Sequence, residues 1–298
     1  MKQVCQQIIT VFLITAIVFE FSGCGSNQKV IHLATKPMTE QYILGEMLRQ
    51  LIEDETDIKV EITQGIGGGT SNIHAAMLKG EIDLYPEYTG TAWLFVLKEE
   101  NIPDEETLYH EVCQKYKEKY GFRWIGLYGF NNTYGLAIRK EIADKYQIKT
   151  YSDLSTYTPN LIFGAEYDFF ERDDGYKALC NTYDYRFKKT VDLDIGLKYQ
   201  AISNGKTDVI VVFNTDGQLS ISDIVVLEDD KKFYPSYYCG TVVREEVLKQ
   251  YPELESVLMK MDGILSDAEM SSLNYQVEAE GKDERKVASD FLKEKGLL

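Results

Sequence analysis

The chain is predicted to be an α/β protein with two lobes. Two features predict this: strand-length apolar runs alternate with helical spacing along the chain, and two turn-rich, aromatic crossings bracket its middle third. Alternating strands and helices build α/β layers whose strands run largely parallel. Val30–Thr35 reads as a buried strand. Thr39–Glu53 follows, with Ile43, Met47, Leu48, Leu51 and Ile52 at helical spacing. Ile58–Ile62 alternates as a strand, Gly67–Asn72 forms a turn, and a helix runs on through Lys79, with Thr70 or Ser71 as its cap. Ile82–Tyr85 is a further short strand. Helices are expected over Asp104–Tyr120 and Ile195–Asn204. Strands are expected at Trp124–Tyr128, Gly135–Arg139, Leu161–Ala165, Val209–Phe213 and Ile224–Leu227, and the stretch from Glu245 onward is mostly helical. The crossings are Gly129–Thr133 and Tyr234–Gly240. They place one lobe at 29–131 and 239–298 and the other at 132–238.

The first residues are not part of that fold. Lys2 precedes an uncharged stretch from Gln3 to Phe19, apolar from Ile8, and small residues then lead to a cysteine in Ser22-Gly23-Cys24. A positive start, an apolar core too short to span comfortably and a small-residue site read as a secretory signal over 1–23. The cysteine site resembles the bacterial lipobox, with Phe21 where that pattern usually has Leu. The resemblance implies lipidation at Cys24, and residues 24–28 then serve as a polar tether. A membrane anchor that stays attached is the alternative reading of the same residues.

Composition excludes several functions. The chain of 298 residues carries a net charge of −16 and has no basic stripe, which argues against nucleic-acid binding. Beyond Cys5 and Cys24 it has three cysteines, Cys113, Cys180 and Cys239, and no Cys-x-x-Cys, so buried free thiols are expected over a metal or redox site; one disulfide among the three stays open. The histidines His32, His74 and His110 fall in no His-Glu-x-x-His pattern, and no Gly-x-Ser-x-Gly occurs. An enzyme is not expected, nor a cofactor. Gly67–Asn72 lacks the Gly-Lys-Ser/Thr of a nucleotide-hydrolysing loop.

Tyrosine is the distinctive residue, with 21 against two tryptophans. Several stand in loops beside Gly, Pro and Asn: Tyr88 in Tyr-Pro-Glu-Tyr-Thr-Gly-Thr, Tyr134 after Asn131-Asn132-Thr133, and Tyr237 in Tyr-Pro-Ser-Tyr-Tyr. Any single one could be a packed ring with a satisfied hydroxyl. Taken with Lys36–Glu46, Gly68–Asn72, Ala76–Trp93, Arg172–Tyr176, Gly196–Ile202, Thr215-Asp216-Gly217 and Val226–Lys231, these motifs resemble the substrate-binding proteins of glycine betaine/carnitine/choline ABC transporters.

The resemblance covers the chain beyond the leader, in order. It implies a periplasmic-binding-protein-like (type II) fold with the ligand in the cleft between lobes. By motif position it implies an aromatic cage of Tyr88, Tyr134, Phe213 and Tyr237, with Phe213 where the family usually has tyrosine and Tyr238 as the neighbour that could replace Tyr237. It also implies a polar group at Asn132 and carboxylate contacts from Lys36, Thr91 and Arg172. The residues alone allow plainer roles, Lys36 as a solvated loop lysine and Arg172 as the partner of Glu171, Asp173 or Asp174. A trimethylammonium group has no N–H to donate, so π faces suit it, each contact contributing about 0.5–2 kcal/mol. Two cations facing the cleft without counter-charge would favour a betaine over choline. The implied protein is a monomeric, lipid-anchored receptor on the outer face of the cell membrane, working with an ABC permease and a separate ATPase subunit. A choline receptor, or a sensor without transport, is the alternative.

Overall fold

A computed structural model describes residues 28–298. The leader, Cys5 and the Cys24 site lie outside the described residues. Among the described residues, ten strands run in chain order: β1 Val30–Ala34, β2 Lys59–Thr63, β3 Leu84–Tyr88, β4 Phe122–Ile125, β5 Tyr134–Arg139, β6 Ile162–Ala165, β7 Lys189–Asp192, β8 Val209–Phe213, β9 Ile224–Val226 and β10 Cys239–Arg244. They form two five-stranded sheets, ordered β2-β1-β3-β10-β4 and β7-β6-β8-β5-β9. Each sheet is the centre of one lobe.

Strand periodicity explains the layering, because successive side chains point to opposite faces. In β8, Val209 and Val211 join one core while Ile210 and Val212 join the other. In β10, Val243 faces one core and Val242 the opposite one. Both faces of both sheets are therefore covered. In the first lobe, helix α1 (Thr39–Glu55) supplies Ile43, Leu44, Met47, Leu48, Leu51 and Ile52, all buried on one stripe. Helices α4 (Asp267–Glu278) and α5 (Glu284–Glu294) pack against α1. On the other face lie α2 (Gly69–Lys79) and α3 (Glu105–Tyr120).

The termini of these helices are fixed locally. Asp104 accepts from Thr107 N at 3.0 Å, and Gly121 ends α3 at φ 69°. Ser266 and Glu269 form a capping box at the start of α4. Contrary to expectation, neither Thr70 nor Ser71 caps α2: its N-cap is Gly68, at φ 74°, with no side-chain bond. Thr70 instead spends its hydroxyl on Glu87.

The sheets are mixed and not largely parallel. β1 pairs parallel with β2 and β3, but β10 is antiparallel to both β3 and β4. In the second sheet β6 pairs parallel with β7 and β8, whereas β5 is antiparallel to β8 and β9. The antiparallel members, β5 and β10, are the strands that follow the two crossings, so their direction is set by the chain's passage between lobes. Smaller shifts occur elsewhere. The expected strand at 124–128 runs Phe122–Ile125, and the helix expected at 195–204 is a short 3₁₀ turn followed by Lys198–Ser203. Cys113, Cys180 and Cys239 are free thiols.

The crossings are tied to each other by Asn132 N→Tyr237 O and Tyr237 N→Asn131 Oδ1. Gly129 opens the first crossing at φ 109°, and a Cβ there would lie 2.4 Å from Leu265 O. Gly129→Ala is expected to lower the unfolding free energy by at least about 1–2 kcal/mol, read from urea denaturation.

Candidate functional site

The backbone converges on one place. Parallel strands β1 and β3 end side by side, and open α/β sheets bind ligands beyond such strand ends. Their pairing reaches only Leu33↔Leu84. β1 ends at Ala34, whereas β3 runs on to Tyr88 paired with β10, so the two strands part there. Lys36 follows β1, and Tyr88 and Thr91 lie at and beyond the end of β3. From the second lobe come Tyr134 at the start of β5, Phe213 at the end of β8, and Arg172 after the short helix Tyr167–Glu171. A cavity of about 700 Å³ lies between the lobes, and its lining includes all eight expected ligand contacts: Lys36, Tyr88, Thr91, Asn132, Tyr134, Arg172, Phe213 and Tyr237.

Tyr134 is the centre of the aromatic wall. Its ring centroid is 4.9 Å from Phe213, 5.3 Å from Tyr237 and 5.6 Å from Phe169. Tyr88 faces from the first lobe, its hydroxyl donating to Glu40 at 2.6 Å. Tyr237 lines the cavity, whereas Tyr238 does not and has its hydroxyl near Glu105, 3.5 Å away. Gly90 leaves room for Tyr237, since a Cβ there would come within 2.7 Å of that ring.

The polar groups are more fully paired than a carboxylate clamp requires. Lys36 Nζ donates to Glu87 Oε1 at 2.5 Å. Glu87 is fully buried and also accepts from Thr70, Tyr85 and the Tyr88 N–H. Arg172 makes a two-pronged pair with Asp174, Nε to Oδ1 at 2.7 Å and Nη2 to Oδ2 at 2.5 Å. Both expected cations thus have counter-charges, which removes the premise that unpaired cations disfavour choline. Lys36 Nζ also lies 4.6 Å from the Tyr88 ring centre, and the Arg172 guanidinium 5.7 Å from that of Tyr134. Asn132 donates to Glu40 at 2.7 Å, and its buried Oδ1 has no partner among the described residues.

Several lining residues were not anticipated: Phe95, Phe169, Tyr42, Glu166, Asp168 and Asp194. Phe95 stands on a π-helical turn, Ala92–Val96, and receives the Arg172 guanidinium at 5.2 Å across the cleft. Further contacts join the lobes: Lys98 Nζ to Asp173 at 2.6 Å at the rim, and Thr215 Oγ1 to Glu40 at 2.6 Å inside. Glu166, burdened by burial, has its carboxyl raised above the ordinary range. A smaller cavity of about 180 Å³, lined by Glu40, Lys198, Asp216, Asn274 and Glu278 among others, adjoins this region. Lys198 pairs with Asp216 at 2.6 Å.

Two mixed α/β lobes with an aromatic-walled, charge-balanced cleft between them define a solute-binding receptor. The chain belongs to the family described as the substrate binding domain of ABC-type glycine betaine transport systems, which it matches over residues 29–294. That family consists of solute receptors, not enzymes. An ergothioneine transport permease/ergothioneine binding protein of Helicobacter pylori is 46% identical over 91% of this chain, which spans about half (48%) of that protein's length. A carnitine transport binding protein of Listeria monocytogenes is 36% identical over 98% of this chain and 97% of its own. A crystal structure of a glycine betaine/carnitine/choline ABC transporter is 33% identical, covers 91% of this chain and 99% of that one, and superposes with a TM-score of 0.72.

The smaller cavity has a pH signature. Burial, reinforced by Asp216, pushes the Glu278 carboxyl from 4.5 up to about 7. Between those values the folded protein holds a proton that the unfolded chain releases, so stability falls as pH rises through this window. Glu278→Gln is expected to flatten the profile. Urea unfolding at pH 5 and pH 8 should show the wild type losing on the order of 2 kcal/mol more than the variant.

Proposed function

We propose that this chain captures a trimethylammonium betaine in the interlobe cleft and delivers it to an ABC permease with its own ATPase. Tyr88, Tyr134, Phe213 and Tyr237 surround the methylated nitrogen. Asn132 Oδ1 and the carboxylates behind the cations add negative potential without a directional bond. The observation that carries this reading is that the four rings line one cavity, three of them in contact around Tyr134. A micromolar affinity needs about 8 kcal/mol, and several desolvated cation–π contacts at about 2 kcal/mol each supply much of it.

The ligand's carboxylate is read by hydrogen bonds and not by bare charge. Lys36 uses one of its three donors on Glu87, and Arg172 uses Nε and Nη2 on Asp174, which leaves spare N–H groups on both. Thr91 completes this end. The counter-charges on Lys36 and Arg172 also favour a second reading, a choline-type ligand with a neutral tail. Cavity size bears on the choice. About 700 Å³ lies within the roughly 300–1,000 Å³ typical of drug-sized ligands and exceeds what glycine betaine fills. A betaine with a side chain, such as the carnitine or ergothioneine named for the relatives, fits it better.

We place the lobe boundaries at 131/132 and 238/239, supported by the Asn131↔Tyr238 bridge where the crossings meet. We further propose a monomer tethered outside the cell membrane by lipid on Cys24. Mass spectrometry of the expressed protein should find a diacylglyceryl-modified Cys24 at the N-terminus; an unmodified chain retaining Met1 contradicts the tether.

Calorimetric titration with ergothioneine, carnitine, glycine betaine and choline tests the ligand. A side-chain-bearing betaine should bind most tightly, and Tyr134→Ala should weaken it at least a hundredfold with the fold intact. Preference for choline supports the second reading, and no heat from any of them sinks both.

A further inference from the structure

Glu40 is the buried acid that the cage does not use directly. It is 2% exposed, and no lysine or arginine pairs with it among the described residues. Burial pushes its carboxyl above the ordinary range, while its hydrogen bonds oppose that shift. Four donors satisfy the two oxygens. Oε1 accepts from the Tyr88 hydroxyl at 2.6 Å and from Asn132 Nδ2 at 2.7 Å; Oε2 accepts from Thr215 Oγ1 at 2.6 Å and Asn274 Nδ2 at 3.3 Å. A carboxylate offers about four acceptor sites, so this one is saturated.

The donors come from parts of the molecule that must move relative to one another. Tyr88 and Asn274 belong to the first lobe, Asn132 to the crossing, and Thr215 to the second lobe, two residues after Phe213. Asn274 also donates to the Thr215 carbonyl at 2.9 Å. Nearby, Gly217 lies so close to α4 that a Cβ would come within 2.4 Å of Tyr275 N. These contacts exist only when the lobes are together. If they part, the Thr215 arm is lost and Glu40 needs water in its place. The same carboxylate holds the Tyr88 phenol as a donor, a charge-assisted bond that enriches that ring in electron density on the side of the cavity.

We propose that Glu40 is a positioning residue that latches the lobes closed and, through Tyr88 and Thr215, ties closure to the two facing walls of the cage. The latch rests on the proposed capture of a ligand by this cleft, but it operates in the ligand-free protein as well. Apparent affinity scales with the fraction of protein in the binding-competent form, so weakening the latch weakens binding by a like factor.

Interlobe energy transfer between fluorophores on the two lobes, in the full chain, tests this with and without ligand. Two variants are compared, each checked for native circular dichroism. Glu40→Gln removes the charge and sets an amide donor against existing donors. Thr215→Val removes only the second-lobe arm. The proposal expects both to lower the closed-to-open ratio of the ligand-free protein about tenfold, and to weaken the affinity for the tightest-binding betaine of the calorimetric series by a similar factor. A folded Thr215→Val protein with wild-type closure overturns it. So does a loss of affinity in either variant with the closed fraction unchanged. If the variants open the lobes while the wild type binds no quaternary ammonium compound, the latch stands and the ligand reading falls.

Discussion

A quaternary ammonium ion has no N–H to donate, so a protein can strip its water only by surrounding it with surfaces that carry negative potential and apolar area together. Aromatic faces do this, and their effect grows as water leaves. The architecture of the cleft follows from that constraint in the proposed mode. Rings come from the end of β3, the start of β5, the end of β8 and the second crossing, four segments far apart in sequence. The protein cations over three of the cage rings are paired with carboxylates: Lys36 over Tyr88 with Glu87, Arg172 over Tyr134 with Asp174, and Lys198 over Phe213 with Asp216. Without those acids, the cleft would repel a cationic ligand. Buried pairs of this kind contribute little to stability by themselves, and breaking one leaves a costly lone charge.

Closure is the second consequence. π surfaces strengthen in value only when the cleft is dry, so the lobes must meet around the ligand. Several of the contacts that join them are polar and small, among them Lys98 with Asp173 at the rim, Arg172 on Phe95, and Thr215 with Glu40 and Asn274. Small polar contacts suit a two-state device, since each is readily replaced by water on opening and a ligand's differential contacts can then set the balance. A broad hydrophobic seam would hold the lobes shut with or without ligand.

Much of this was legible in the sequence. The continuous apolar run Val209–Phe213 and the helical stripe of α1 are read directly from the sequence, because a strand buried on both faces and a helix buried on one leave different apolar imprints. The eight expected ligand contacts were marked by motif, and the structure brings them to one cavity. What could not be read was pairing across distance. Nothing local in Glu87 says that it meets Lys36, and Glu40 reads as one acid in the first turn of a helix, where acids are common. Phe95 was hidden because a π-helical turn shifts it off the ordinary helical period. β10 was missed because its first residues, Cys239 and Gly240, read as the end of a crossing, and its partners β3 and β4 lie far back in the chain.

In the proposed mode the grip on the ligand head in the ring cage comes from charge, and not from shape alone. This is tested most directly by comparing a bound betaine with its carbon isostere, in which a tert-butyl carbon replaces the quaternary nitrogen and the head group carries no charge. Shape and apolar area are nearly unchanged, but the cation–π attraction is removed. The isostere is expected to bind at least about a hundredfold more weakly. Equal affinity for the two compounds would contradict it.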